Sequence, residues 1–331
     1  MAGIPDVMYA AYVEALGPAD AIRYGRLPVP RIGPTDVLVA VHAVTVDPVD
    51  TFVRSGAYAT PTPFPFIIGR DLVGNVAAVG GGVAGYAVGD AVWCNSLGHG
   101  GRQGSFAQYV VVPVDRLYHL PGGVDPVQAV GVAHPAATAW LGLFRHARLG
   151  LGDAVYIGGG AGNVGDAAVR LARAAGARVI ASASGNGLER LRDAGAAVVV
   201  DYRDPDMAEQ IRAAAPAGLD VYWDTSGHHD IDVAVVLLAR GGRLLLTAAG
   251  PQARVPLPVD RVYTHDITLA GFVISNAAVT DLAAAATVLN RKLADRTLTA
   301  RIADTMPLAR AAEAHHRLEK GGVGGRLILM P

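Results

Sequence analysis

Cysteine, charge and long apolar runs are all scarce in this sequence, and each scarcity removes a class of protein. Cys94 is the only cysteine among 331 residues, so neither an intrachain disulfide nor a cysteine-rich zinc site can be built. A reducing compartment suits that usage. The first residues hold Asp6 and Glu14 and lack a basic stretch leading into an apolar one, so a cytoplasmic protein is expected. Charged residues are 17% of the chain, against roughly 25% in an ordinary globular protein. The 28 basic and 29 acidic residues leave a net charge of -1 with no Lys/Arg-rich run, so binding to nucleic acid lacks its electrostatic footprint. No apolar run approaches the ~20 residues of a membrane span, and no membrane association is expected.

What the chain does hold is core material: 51% of its residues are hydrophobic. Its length argues for two domains, because one core rarely grows past about 250–300 residues. The first third is β-rich, with short apolar runs at 37–41, 73–79, 91–93 and 106–112 separated by Gly, Pro and Asp, as in a compact barrel-like domain. From about Asp125 the period changes. Helical spacing at 127–144 and 166–175 alternates with β-like runs at 154–157, 178–181, 197–200, 219–223 and 243–247, which predicts a doubly wound parallel sheet. Another apolar run at 267–274 precedes two helices. Thr280 and Asp281 are expected to cap the first, and Gly321 to stop the second, which carries Leu308, Ala312, His315 and Leu318 on one face. The closing strand, 326–330, is expected to return to the first domain, making it discontinuous: 1–126 and 271–331 around a nucleotide-binding domain at 127–270.

Residues 155–165 read Val-Tyr-Ile-Gly-Gly-Gly-Ala-Gly-Asn-Val-Gly and lead into a helical run. Gly160, Gly162 and Gly165 form G-x-G-x-x-G, with glycines for the tight turn, for close approach of a pyrophosphate and for helix-to-strand packing. Between a strand and a helix, this pattern predicts a dinucleotide at a helix N-terminus. NAD-preferring folds place an acid at the end of the next strand. Here that end reads Ala-Ser-Ala-Ser, 181–184, with no acid before Glu189. Ser182, Ser184 and Asn186 are donors for a 2′-phosphate, with Arg190 nearby for charge, and NADPH is expected; as plain polar loop residues they would carry no such role.

The order of motifs resembles the medium-chain dehydrogenase/reductase superfamily over essentially the whole chain, and most of all its zinc-free quinone oxidoreductases of the zeta-crystallin group. Residues 43–58 are similar to the segment N-x-x-D…R-x-G-x-Y, with Asp47 where that group usually has Asn. Residues 65–74 match P-x-x-x-G-x-[DE]-x-x-G, and Gly89-Asp90, 104–109, 136–140 and Gly324-Gly325-Arg326 follow in the expected order. The resemblance implies an α/β protein in which a GroES-like β-rich domain clasps a Rossmann domain, with the active cleft between them. It places Thr138 on the nicotinamide side, Gly162, Asn163 and Val164 at the pyrophosphate, and Ser182 and Ser184 at the ribose phosphate. Tyr202 falls at the adenine, Phe272, Val273 and Ile274 at the nicotinamide amide through backbone groups, and Arg326 among the cofactor-binding residues. It also implies a homodimer paired through strand 266–274, which has no evident local partner.

Hydride reduction without a metal needs orientation and an acid for the developing enolate or phenolate. Tyr58 matches the position where related enoyl reductases place a tyrosine proton donor; a packed loop aromatic is the alternative. Zinc-dependent members commonly use Cys, His and Cys, and the matching positions here are Asp47, Arg70 and His134. Arginine offers only donors, which leaves two ligands where catalytic zinc takes three, so no metal is expected. A guanidinium in that place can polarise a carbonyl, with Asp47 and His134 holding it or relaying a proton; alternatively Arg70 pairs with Asp71 or Asp50 and braces the cleft. Asp50 reads as a turn or salt-bridge residue, His99 as a lid or exposed loop residue. The pairs His228-His229 and His315-His316 receive no function. The expected activity is NADPH-dependent reduction of a quinone or an α,β-unsaturated carbonyl. Enone, enoyl or zinc-free alcohol chemistry is the alternative in kind, and a structural or RNA-binding NADPH protein the alternative in class.

Overall fold

The computed structural model describes residues 3–250 and 253–331. They divide into two compact units, one running to His134 and resuming at Ala278, the other spanning Pro135–Ala277. The divisions fall later than the expected 126/127 and 270/271. At the first of them the reason is local: Gln128 accepts the Ala300 N–H at 2.8 Å, and Gly131 abuts Ala300 and Arg326, so residues past 127 pack with the first unit.

The first unit opens with an antiparallel pair, β1 (Val7–Val13) and β2 (Arg23–Pro28). β3 (Asp36–Thr45) is followed by α1 (Pro48–Ser55), the short β4 (Phe66–Ile67), β5 (Leu72–Val79), β6 (Ala91–Cys94), β7 (Tyr109–Pro113) and β8 (Tyr118–His119). β3 pairs antiparallel with both β5 and β7, and its valines alternate into a core with Phe66, Leu72 and Phe106. Gly74 lets β5 approach β3, because a Cβ there would lie 2.2 Å from the Ala40 carbonyl oxygen. A capping box begins α1: the Asp47 N–H donates to Asp50 Oδ2 at 2.8 Å, Pro48 takes the first turn, and Gly56 ends the helix at φ 83°.

α2 (Pro126–Trp140) runs on into a π-helical turn, Leu141–His146. The second unit then alternates β9 (Ala154–Gly158), α3 (Asn163–Ala174), β10 (Arg178–Ala183), α4 (Gly187–Ala194), β11 (Val198–Asp201), α5 (Met207–Ala214), β12 (Leu219–Asp224), α6 (Ile231–Leu237), β13 (Leu238–Leu246), α7 (Val259–Thr264) and β14 (Thr268–Gly271). Its six strands are parallel in the order β11-β10-β9-β12-β13-β14, a Rossmann-like sheet whose strand order reverses between β9 and β12. The strand expected to lack a local partner has one: β14 pairs with β13 from Thr268 to Gly271. Only the apolar run is legible in sequence, not its neighbour. β14 is nonetheless the last strand of that sheet.

α8 (Val279–Ala294), β15 (Ile302–Pro307), α9 (Ala311–Lys320) and β16 (Arg326–Met330) return to the first unit. The cap of α8 is Ala278, without a side-chain bond, so Thr280 and Asp281 lie within its first turn rather than capping it. Gly321 ends α9 at φ 78°, as expected, while Leu308 precedes the helix in a 3-10 turn. β16 pairs parallel with β15 and antiparallel with β3, completing a seven-stranded sheet. Among the described residues no helix is long and apolar enough to cross a membrane.

Candidate active site

Five segments of the first unit bring polar and ionisable side chains together out of water: Thr45 at the end of β3, Asp47 and Asp50 at the start of α1, Arg70 and Asp71 before β5, His134 on α2, and Arg326 opening β16. Arg326 Nη1 donates to Asp47 Oδ1 at 2.8 Å and its Nη2 to Thr45 Oγ1 at 2.7 Å, with Asp71 Oδ2 at 3.5 Å. The Thr45 hydroxyl in turn donates to Asp71 Oδ2 at 2.9 Å and faces Asp47 Oδ2 at 3.3 Å. His134 Nδ1 lies 3.5 Å from Asp71 Oδ1.

Burial penalises every charge here, so neighbours decide which groups ionise. Burial opposes the Asp47 carboxylate, yet Arg326 and then His134 hold that carboxyl well below its ordinary range. Asp50 goes the other way: burial, then the Asp47 charge, push it up to about 8 against the pull of Arg70, so it is a neutral acid at pH 7. Burial and Asp47 push Asp71 up to about 6. The His134 pKa is raised, because Asp47 and Asp71 outweigh the burial that would lower it. Arg70 is pulled down by burial and back up by Asp50 and Asp47.

The guanidinium bonded to Asp47 Oδ1 is that of Arg326, which is 3% exposed with both terminal nitrogens bonded inside the unit. The ligand-like trio is Asp47, Asp71 and His134, whose donor atoms lie within 4.8 Å of one another. Two carboxylates and an imidazole suit a divalent ion chemically. A resident zinc does not fit them as they stand, because Arg326 already bonds the Asp47 oxygen and a dication would join two buried guanidinium groups.

Tyr58 follows α1, held by its N–H to the Phe52 carbonyl at 3.0 Å. Its ring stacks on His99 with centroids 5.7 Å apart and planes 8° apart, and its Oη lies 3.4 Å from His99 Nε2. The loop reaches there through Gly98, Gly100 and Gly101, all at positive φ, and the Gly100 N–H donates to Thr60 Oγ1 at 2.9 Å. His99 is therefore half-buried rather than exposed. Burial, then the charges of Arg70, Arg102 and Arg116, push it down to about 4, so the imidazole beside the phenol is neutral.

In the second unit the glycine-rich turn joins β9 to α3. Its left-handed residue is Gly159, φ 63°, and the first bond within α3 runs from Asp166 N–H to the Gly162 carbonyl at 2.9 Å. The N–H groups of Asn163, Val164 and Gly165 are then first-turn donors for an anion. A Cβ on Gly162 would meet only the Gly159 oxygen at 3.2 Å, whereas on Gly165 it would lie 2.4 Å from that oxygen and on Gly160 2.8 Å from Leu191. Gly162 thus keeps the front of the turn open, and Gly160 and Gly165 close its back, a cradle that fits a dinucleotide pyrophosphate.

The end of β10 departs from expectation. Ser182 is 1% exposed and shares a 2.8 Å hydrogen bond with Tyr156, so its hydroxyl faces the core. Ser184 donates to Tyr202 at 3.1 Å, and Arg190 to Asn186 at 3.0 Å, both near the surface. Arg203, not among the residues expected from the sequence, has its guanidinium 5.9 Å from the Tyr202 ring centroid, near Gly185 and 3.5 Å from Asp201 Oδ1. Thr138 is half-buried on α2. The Phe272 N–H, the Val273 carbonyl and the Ile274 carbonyl already bond Leu246, Asn276 and Ala277 within the unit.

Residues 33–122 match the family described as alcohol dehydrogenase GroES-like domain, and residues 163–290 the family described as zinc-binding dehydrogenase. The quinone oxidoreductase of Mus musculus is 28% identical over 309 residues, which span 92% of this chain and 91% of that one. The native structure of a mycobacterial quinone oxidoreductase has a TM-score of 0.85 at 28% identity, covering 98% of this chain and 100% of the other. A mycobacterial protein complexed with NADPH has a TM-score of 0.83 at 28% identity over the same shares of the two chains.

Proposed function

The chain belongs to the medium-chain dehydrogenase/reductase superfamily and is an oxidoreductase, and we propose that it is a metal-independent, NADPH-dependent reductase of quinones or α,β-unsaturated carbonyls. The observation that carries this reading is the Tyr58 hydroxyl set 3.4 Å from Nε2 of a neutral His99, a phenol placed to act as the acid. Bound NADPH supplies hydride from C4 of its nicotinamide. Asn163, Val164 and Gly165 hold the pyrophosphate through backbone N–H groups. Ser184, Asn186, Arg190 and Arg203 hold the 2′-phosphate; β10 itself ends without an acid before Glu189, and the nearby Asp201 is 3.5 Å from the Arg203 guanidinium. Tyr58 gives its proton to the substrate oxygen as the enolate or phenolate charge develops.

Quinones and enones share the feature this chemistry needs, a carbonyl conjugated to the carbon that receives hydride. The protein works as a homodimer through the edge strand β14 and in the cytoplasm, where its single buried thiol stays reduced. Turnover over a panel of quinones, enones and enoyl thioesters, with NADPH and NADH in parallel, tests the activity. NADPH oxidation by at least one quinone or enone is expected; the absence of turnover across the whole panel overturns the reading. Light scattering at micromolar concentration tests the dimer, and a monomeric mass overturns it.

A further inference from the structure

We infer that Arg326 is a built-in cation that occupies a divalent-metal pocket formed by Asp47, Asp71 and His134, and that this pocket binds a divalent ion once the guanidinium is removed. The inference concerns the first unit alone and is independent of the substrate and cofactor proposed above. Three observations carry it. The three side chains are 1%, 0% and 9% exposed, and their donor atoms lie within 4.8 Å of one another. Arg326 Nη1 takes up the Asp47 oxygen at 2.8 Å, and Nη2 stands 3.5 Å from Asp71 Oδ2, so the guanidinium faces two of the three candidate ligands. The bridge between the carboxylates, the Thr45 hydroxyl, is itself bonded to Nη2 at 2.7 Å, so one side chain organises the whole set.

The backbone puts Arg326 there without slack. Its N–H donates to the Arg301 carbonyl at 2.7 Å, and it is the first residue of β16, paired with Ile302 of β15. Take the guanidinium away and Asp47 and Asp71 lose the cation bonded between them, with only Arg70 and His134 left nearby to offset two buried carboxylates, so a further cation is favoured. Asp and His are oxygen and nitrogen ligands of the kind zinc and cobalt accept, and three protein ligands at about 2.1 Å from the ion match an open catalytic-type set. Arginine keeps its charge at every physiological pH, so in the wild type the pocket stays closed.

The test compares the wild-type chain, Arg326→Ala and Arg326→Ala/His134→Ala, each titrated with Co²⁺ and followed by visible absorption, metal content after gel filtration and thermal midpoint. Arg326→Ala is expected to bind one equivalent at least tenfold tighter than the wild type and to gain thermal stability on loading. The double variant is expected to lose at least tenfold of that affinity. If Arg326→Ala does not fold in metal-free buffer, it is refolded with Co²⁺: recovery with metal supports the inference and failure to recover overturns it. A folded Arg326→Ala that gains no metal overturns it, as does a wild type that carries one equivalent sensitive to His134→Ala.

Discussion

Arg326 and Asp47 stand 279 residues apart in the chain, and their side chains meet at 2.8 Å. The antiparallel register of β16 on β3 sets Ile328 against Thr45, which brings Arg326, at the start of β16, beside Asp47, the cap of α1 just past the end of β3. The pair is buried on both sides. Removing one partner of such a pair typically costs about 3–5 kcal/mol, because the other charge is left out of water. Asp47→Asn is therefore expected to lower unfolding free energy by about 3 kcal/mol, measured by urea denaturation at pH 7. A loss below roughly 1 kcal/mol would mean the pair contributes little beyond its hydrogen bonds.

Asp50 gives stability a particular pH dependence. Its folded pKa of about 8 lies above the ordinary carboxylate value of roughly 4. Between those values the native state holds a proton that the unfolded chain has released, so stability falls as pH rises through the window and levels off above it. Asp71, raised to about 6, acts in the same sense over the lower part. Asp50→Asn keeps an oxygen for the Asp47 N–H and removes the titration. Unfolding at pH 5 and pH 9 is expected to show a smaller loss for the variant than for the wild type; equal losses would place the ionisation elsewhere.

Tyr58→Phe is expected to lower kcat by at least tenfold while cofactor affinity changes less than twofold, since general acids contribute about 10²–10⁴-fold at the transition state. With His99 held near 4, its titration is expected to leave no inflection in kcat between pH 5 and 8. Unchanged kcat in Tyr58→Phe, with a deuterium isotope effect showing hydride transfer to be rate-limiting, returns Tyr58 to packing.

Arg203 offers a charge-assisted contact to a phosphate on the adenosine ribose, beside Ser184 and Tyr202. Arg203→Ala is expected to weaken NADPH by about tenfold, near 1.4 kcal/mol, and to leave NADH within about twofold. Calorimetry with both cofactors decides it. Equal weakening of the two would assign Arg203 to the fold of the loop, and tighter NADH than NADPH in the wild type would sink the cofactor assignment.

What was legible in the sequence depends on neighbours along the chain. The glycine turn between β9 and α3, the alternation of the second unit, and Gly321 as a helix stop are written in spacing and in backbone freedom, which act over a few residues. The return of the last strand to the first unit could also be expected, by elimination. Ser182 could not be placed, because the residue two before it, Ile180, is buried along with Ala181 and Ala183, and only the packed sheet brings the Tyr156 phenol to its hydroxyl.

The sequence by itself determined that this chain folds as a β-rich unit and a dinucleotide-type unit, and that acids, arginines and a histidine were available at 47, 50, 70, 71, 134 and 326. That Arg326 meets Asp47 was decided by the register of β16 against β3. A shift of one residue there would turn Arg326 to the opposite face of the sheet, and strand register is set by packing across the whole sheet rather than by any local pattern.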